Sequence, residues 1–125
     1  MTSLQITFRH MSPSPELEER IRRLVSRLDR FSGHIRHCHV IVEPPSHHKH
    51  KGSLYDFRID ITLPDEEIAI RHARPTDQAH EDPHVALRDA FRAARRRIED
   101  YERKRRRDVK AHAQPGMSTE SNPAG

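Results

Sequence analysis

The stretch LQITFRHMSPSPELEERIRRLVSRLDRFSG, residues 4–33, decides the fold. Leu4, Ile6 and Phe8 alternate with Gln5, Thr7 and Arg9, and a period of two marks a strand buried on one face. A helix start follows. Ser14 is an N-cap, Pro15 has no N–H to lose at the first helical position, and Glu16, Glu18 and Glu19 suit the positive end of the helix dipole. Leu17, Ile21, Leu24, Val25, Leu28 and Phe31 then recur at three- and four-residue steps, which is the stripe of an amphipathic helix. Gly33 is placed to end it, one residue beyond the cap. Arg20, Arg23, Arg27 and Arg30 lie off the stripe. A strand followed by a helix can cross over to a parallel strand, and such crossovers are right-handed.

Working outward, residues 35–43 read as a second strand with Cys38, Val40 and Val42 on one face, ended by Pro44 and Pro45. Residues 46–53 form a basic loop, SHHKHKGS. Tyr55, Phe57, Ile59, Ile61 and Leu63 alternate with Asp56, Arg58, Asp60 and Thr62, giving the clearest strand in the chain. A turn at Pro64, Asp65 and Glu66 leads to a fourth strand through Ile68 and Ile70 that Pro75 ends. After a polar loop, Asp82 and Pro83 repeat the cap grammar, and Leu87, Phe91, Ala94, Ile98 and Tyr101 stripe a long second helix expected to fray between Tyr101 and Lys110. The expected fold is α+β: a single β-α-β-β-β-α domain, with a four-stranded mixed sheet and both helices packed on one face. Residues 1–110 are the expected domain and residues 111–125, which lack an apolar period, an expected disordered tail.

The composition bounds the function. Of 125 residues, 33% are hydrophobic and 34% charged, with formal net charge +4 and a basic excess carried mostly by arginine. Arginine presents a planar fork that matches phosphate, so the balance favours an anionic partner. Cys38 is the lone cysteine, which excludes an internal disulfide and a cysteine-based zinc site. No apolar run reaches membrane-span length and the N-terminus lacks a signal-peptide core, so a cytoplasmic protein without membrane contact is expected.

The strongest chemical feature is the second helix. Arg88, Arg92, Arg95, Arg96, Arg97, Arg103, Lys104, Arg105, Arg106, Arg107 and Lys110 outnumber Asp89, Glu99, Asp100, Glu102 and Asp108 there. Asp89 with Arg92 and Glu99 with Arg103 have the spacing of helical ion pairs. The run at 103–107 suits a solvated helix C-terminus, but the arginine bias and the first helix's own arginines favour a phosphate-binding surface. Six such contacts would give a log–log salt slope of roughly −4 to −5. Phe8, Phe31, Phe57, Phe91, Tyr55 and Tyr101 all fall on apolar stripes, which argues against base stacking and for recognition of folded RNA by backbone and shape.

Histidine is the second feature. His47, His48 and His50 share a loop with Lys49 and Lys51, and His80 and His84 flank Asp82. Their spacing matches no metal motif, so no metal and no cofactor are expected, and Lys49 and Lys51 are read as phosphate contacts. His37 and His39 are expected on the outer sheet face and Cys38 in the core. No nucleophile elbow and no glycine-rich phosphate loop occurs, so neither an enzyme nor a small-molecule substrate is expected.

These segments resemble the ribosome hibernation-promoting factors, also called ribosome-associated inhibitors or ribosomal subunit interface proteins. The resemblance rests on LQITF at 4–8, ELEERI at 16–21, LDRF at 28–31, CHVIVE at 38–43, and Asp82 followed by Val85, Ala86 and Leu87 opening a basic helix. It spans about residues 4–108 and is to the short form, without the dimerisation domain of long members. It implies a fold similar to double-stranded-RNA-binding domains and binding to ribosomal RNA of the small subunit, in the groove used by messenger and transfer RNA. It also implies inhibition of translation under stress or in stationary phase, and a monomer off the ribosome. By position, Arg20, Arg23, Arg27 and Arg30 match one contact set and Arg88, Arg92, Arg95, Arg96 and Arg103 the other. Lys104, Arg106 and Arg107 extend the second. The histidine-rich loop looks longer or more basic than in short members, and His84 stands where an aromatic residue is frequent. Two other readings use the same residues: a generic adaptor for structured RNA, and a metal-responsive protein built on His47, His48, His50, His80 and His84.

Overall fold

A computed structural model describes residues 2–44, 56–72 and 82–113, with side chains at all of these except 72 and 109–113. The elements follow the expected order: β1 (Ser3–Phe8), α1 (Pro15–Phe31), β2 (His37–Glu43), β3 (Asp56–Leu63), β4 (Glu66–His72) and α2 (Pro83–Ala113). They form an α+β fold whose four-stranded sheet has the order β1-β2-β3-β4. β1 and β2 are parallel, and the two later pairs are antiparallel. The chain divides into two units, 1–95 and 96–125. The first holds the sheet, α1 and the start of α2; the second holds the remainder of α2.

Register makes the sheet two-faced. Leu4, Cys38, Ile61 and Ile68 are laterally aligned, and so are Ile6, Val40, Ile59 and Ile70. Phe8, Val42 and Phe57 complete a third apolar row. The strands of β2, β3 and β4 bury their members of these rows, with Val40, Val42, Phe57 and Ile59 at 0% exposure. The opposite face carries Gln5, Thr7, His37, His39, Arg58, Asp60 and Arg71. One apolar face needs one cover, and the buried stripes of both helices provide it: Leu17, Ile21, Leu24, Val25 and Leu28 on α1, and Ala86, Leu87, Ala90, Phe91 and Ala94 on α2. Ile98 and Tyr101 are buried too.

The caps explain where the helices start. The Ser14 hydroxyl accepts from Leu17 N–H at 3.3 Å, with Pro15 at the head of α1. The Asp82 carboxylate accepts from His84 N–H at 2.8 Å, and its carbonyl from Val85 and Ala86. At the end of α1 the structure departs from expectation. The helix stops on Ser32, whose backbone is extended (φ −140°, ψ 123°) after its N–H bonds to the Leu28 carbonyl. Gly33 follows it without taking the left-handed conformation, and a Cβ there would meet nothing within 4 Å. Turning out through an extended residue aims the chain at Ile35, which is buried at 4% exposure. α2 is helical through Ala113, past the expected fraying zone and into the stretch expected as tail; residues 114–125 lie outside the described residues.

Cys38 is buried at 1% exposure, as its place in the alternation requires. Desolvation, with a smaller contribution from the Asp60 charge, pushes its thiol up to about 12.

Two predictions follow from this packing. Gly33→Ala restricts the unfolded chain without a native clash, so it should stabilise by about 0.4–1 kcal/mol in urea unfolding; destabilisation would mean that the backbone there needs glycine. The Cys38 thiol ionises near 9.0 when unfolded but holds its proton to about 12 when folded. Its contribution is therefore fully present below pH 9 and lost as pH rises toward 12. Urea midpoints measured across that window should fall more steeply for the wild type than for Cys38→Ala.

Candidate nucleic-acid interface

The arginines of α1 fall on two faces, and their partners differ accordingly. Arg22 reaches back one turn to Glu18 at 2.7 Å. Arg20, Arg23, Arg27 and Arg30 recur at intervals of three and four, so they share a face. None of them has a carboxylate partner among the described residues. Asp29, the acid next to Arg30, is instead engaged by the Thr2 hydroxyl at 2.5 Å, which ties down the start of β1.

On α2, Arg88, Arg92 and Arg95 also share a face, one and two turns apart. The two faces meet. Arg20, Arg27, Arg88, Arg92 and Arg95 line one groove of about 260 Å³ together with Leu24, Leu28 and Phe91. The apolar members are the outer edges of the buried stripes. The two helices lie side by side on the sheet, so the groove follows the seam between them, with an apolar floor and guanidinium walls.

Of the groove's arginines, Arg20, Arg27 and Arg92 have no carboxylate partner among the described residues, whereas Arg88 has one. Asp89 pairs with its neighbour Arg88 at 3.3 Å, not with Arg92 as its spacing suggested, because the long arginine side chain can reach back around the helix to it. Arg92 thus stays exposed and without a carboxylate among the described residues. The Arg20 Nε is buried and has no hydrogen-bond partner. Arg95 lies over an aromatic ring, its guanidinium carbon 4.5 Å from the centre of Phe31.

Phe31 corrects a second expectation. It was placed on the apolar stripe, but it is 37% exposed, the one large hydrophobic side chain so exposed among the described residues. α1 ends at Phe31, so its apolar stripe runs out there, and an arginine of the neighbouring helix meets the ring. Phe57, Phe91 and Tyr101 are buried as expected, and Tyr55 lies outside the described residues.

The remaining expected contacts divide between three places. Arg23 lies beside the groove in a shallow hollow with Glu16, Glu19, Arg20 and His84, so the odd histidine of the second helix start sits among acids and bases of α1. Arg30 is exposed near the C-terminal end of α1. Arg96, Arg103, Lys104, Arg106 and Arg107 belong to the second unit, all exposed. There Arg103 pairs with Asp100, a turn away, and Arg105 donates to the Tyr101 hydroxyl at 3.3 Å. Lys49 and Lys51 lie outside the described residues, as do His47, His48, His50 and His80. Among the described residues no group of three His, Cys, Asp or Glu could hold a metal ion. No described helix is long and apolar enough to cross a membrane.

The outer sheet face is handled differently. Arg58 pairs with Asp60 at 3.1 Å, Arg71 with Asp56 at 3.2 Å, and Arg9 with Glu43 at 3.6 Å. His39 Nε2 meets the Thr7 hydroxyl at 2.8 Å and His37 Nδ1 the Ser3 hydroxyl at 3.1 Å. Among the described residues, Arg9, Arg58 and Arg71 on that face are each matched by a carboxylate.

The model of the sigma 54 modulation protein / S30EA ribosomal protein family matches residues 4–106. The chain belongs to this family. It is a ribosome-associated family, and its match covers the sheet, α1 and most of α2. Among solved structures, the chain is similar to a ribosomal subunit interface protein from Coxiella burnetii, with 17% identity, a TM-score of 0.64, and coverage of 82% of this chain and 98% of that one. It is also similar to the N-terminal domain of Protein Y from Thermus thermophilus, with 14% identity, a TM-score of 0.57, and coverage of 81% and 99%. At these identities the likeness is one of fold. No curated protein sequence matches the chain.

Like charges gathered along one groove repel, and salt screens them over about 8–10 Å at moderate ionic strength. The double variant Arg27→Gln/Arg92→Gln should therefore raise the thermal midpoint at low salt and leave it nearly unchanged at high salt. An equal effect at both ionic strengths would show that the groove arginines do not strain one another.

Proposed function

We propose that this protein is a ribosome-silencing factor. It binds ribosomal RNA of the small subunit, in the groove used by messenger and transfer RNA, and so holds ribosomes idle under stress or in stationary phase. The observation that carries the reading is the convergence of Arg20, Arg27, Arg88, Arg92 and Arg95 on one groove, whose lining includes no acid. Membership of a ribosome-associated family supports it, as does the name of the Coxiella burnetii neighbour, a ribosomal subunit interface protein.

The chemistry is that of a phosphate backbone. Each guanidinium that sits on a phosphate releases condensed counterions, and this release drives association. Guanidinium forks also meet phosphate oxygens two at a time, which fixes orientation as well as charge. The apolar floor keeps the walls apart and lends the groove a fixed width, which suits a rigid polyanion better than a flexible one. Arg23 and Arg30 widen the surface along α1, and Arg96, Arg103, Lys104, Arg106 and Arg107 offer further phosphate contacts in the second unit. Lys49 and Lys51 supply further contacts. The domain that does this is residues 1–110; it acts as a binding protein, in the cytoplasm, by occupying a site and not by catalysis, and needs no cofactor.

The protein should co-sediment with small subunits on a sucrose gradient at low salt and inhibit cell-free translation. The five groove arginines alone would give a log–log salt slope of roughly −4. Reversing charge with Arg92→Glu, Arg95→Glu and Arg96→Glu should abolish both co-sedimentation and inhibition. Unchanged binding by that variant would place the site elsewhere. Equal affinity for any structured RNA, with translation unaffected, would make the protein a general RNA adaptor instead.

A further inference from the structure

Phe31 and Arg95 stand out at the edge of the groove. The ring is the one large apolar side chain left exposed among the described residues, and the guanidinium stacked on it is also a groove wall. Burial accounts for Phe57 and Phe91, and phosphate binding for the other arginines of the groove. Neither explains an exposed ring held against a cation.

We propose that Phe31 and Arg95 form a stacking step for one unpaired nucleobase, whose flanking phosphates lie on Arg27 and Arg92. The proposal rests on the reading of the groove as an RNA surface and adds a preference to it: the protein selects folded RNA with a base turned out of the helix. A guanidinium is planar and weakly hydrated, so it stacks on flat π-systems, and the ring beneath holds it in place. A base within a duplex has both faces covered by neighbours, so a bulged, looped or terminal base is the one that can reach the step. Charge decides between occupants. An apolar side chain of a protein partner could cover Phe31 but would leave Arg27 and Arg92 unmatched, whereas a nucleotide supplies a π-face and phosphates within one unit. Stacking on a protein side chain changes affinity by roughly five- to a hundredfold per base.

The test uses the full chain and two RNA hairpins with equal numbers of phosphates, one fully paired and one with a single bulged 2-aminopurine. The wild type should bind the bulged hairpin several-fold more tightly and quench its fluorescence. Phe31→Ala and Phe31→Leu should lose the preference and the quenching while keeping their affinity for the paired hairpin. The chain has no tryptophan, so Phe31→Trp places a single indole at the step. Its emission should be quenched by the bulged hairpin and not by the paired one, with the preference retained. Equal binding of both hairpins by the wild type, combined with loss of binding in Arg92→Glu, would overturn the stacking step and leave the groove reading intact. A loss of affinity for both hairpins alike in Phe31→Ala would also overturn it. Failure of the wild type to bind either hairpin would overturn the step and the groove reading together.

Discussion

The fold depends on one constraint: the sheet has a single apolar face, and everything apolar in the two helices has to be used to cover it. The period-two alternation of β2 and β3 sends Val40, Val42, Phe57 and Ile59 to complete burial and the intervening residues outward. A helix on the outer face would take the Arg58–Asp60 ion pair and His39 out of water, and the desolvation of those charges offsets what apolar contact returns. Both helices therefore lie on the same side, next to one another. Whatever their sequences place just off the buried stripe must then meet along the seam. The basic groove is a by-product of this covering requirement.

That origin also explains how the groove tolerates its charge. Arg27, Arg88, Arg92 and Arg95 are exposed to solvent, where water and salt screen them, while Leu24, Leu28 and Phe91 beneath them belong to the same packing that holds the helices down. Apolar burial sets the spacing of the walls, and repulsion between the walls is a small opposing term. The outer sheet face shows the contrast. There, cross-strand and same-strand carboxylates sit beside Arg58, Arg71 and Arg9, and the face offers a polyanion little net attraction.

Phe31 and Arg95 show how a helix end creates what a helix middle cannot. Inside α1 each stripe residue is covered by the sheet, so an aromatic ring there would be core and nothing else. At the last turn the stripe ends, and the ring is left half out with an arginine of the next helix across it. A feature that spacing alone assigns to the core becomes part of the surface, beside the arginines of the groove.

Much of this was legible in the order of residues. Local periodicity and turn chemistry act over a few positions, so Ser14, Pro15, Asp82 and the alternating rows named the elements, their faces, the parallel first pair and the two sets of arginines. The chain also showed that Cys38 points inward and that Arg20, Arg23, Arg27 and Arg30 share a face. Spacing could not tell which arginines face which, that Asp89 turns to Arg88 and leaves Arg92 unpaired, or that Phe31 stands in the open. The choice of Arg88 by Asp89 is a matter of side-chain conformation on one helix, but the meeting of the arginine faces and the Phe31–Arg95 contact join residues about sixty positions apart, and only the docking of two helices on one sheet face sets them.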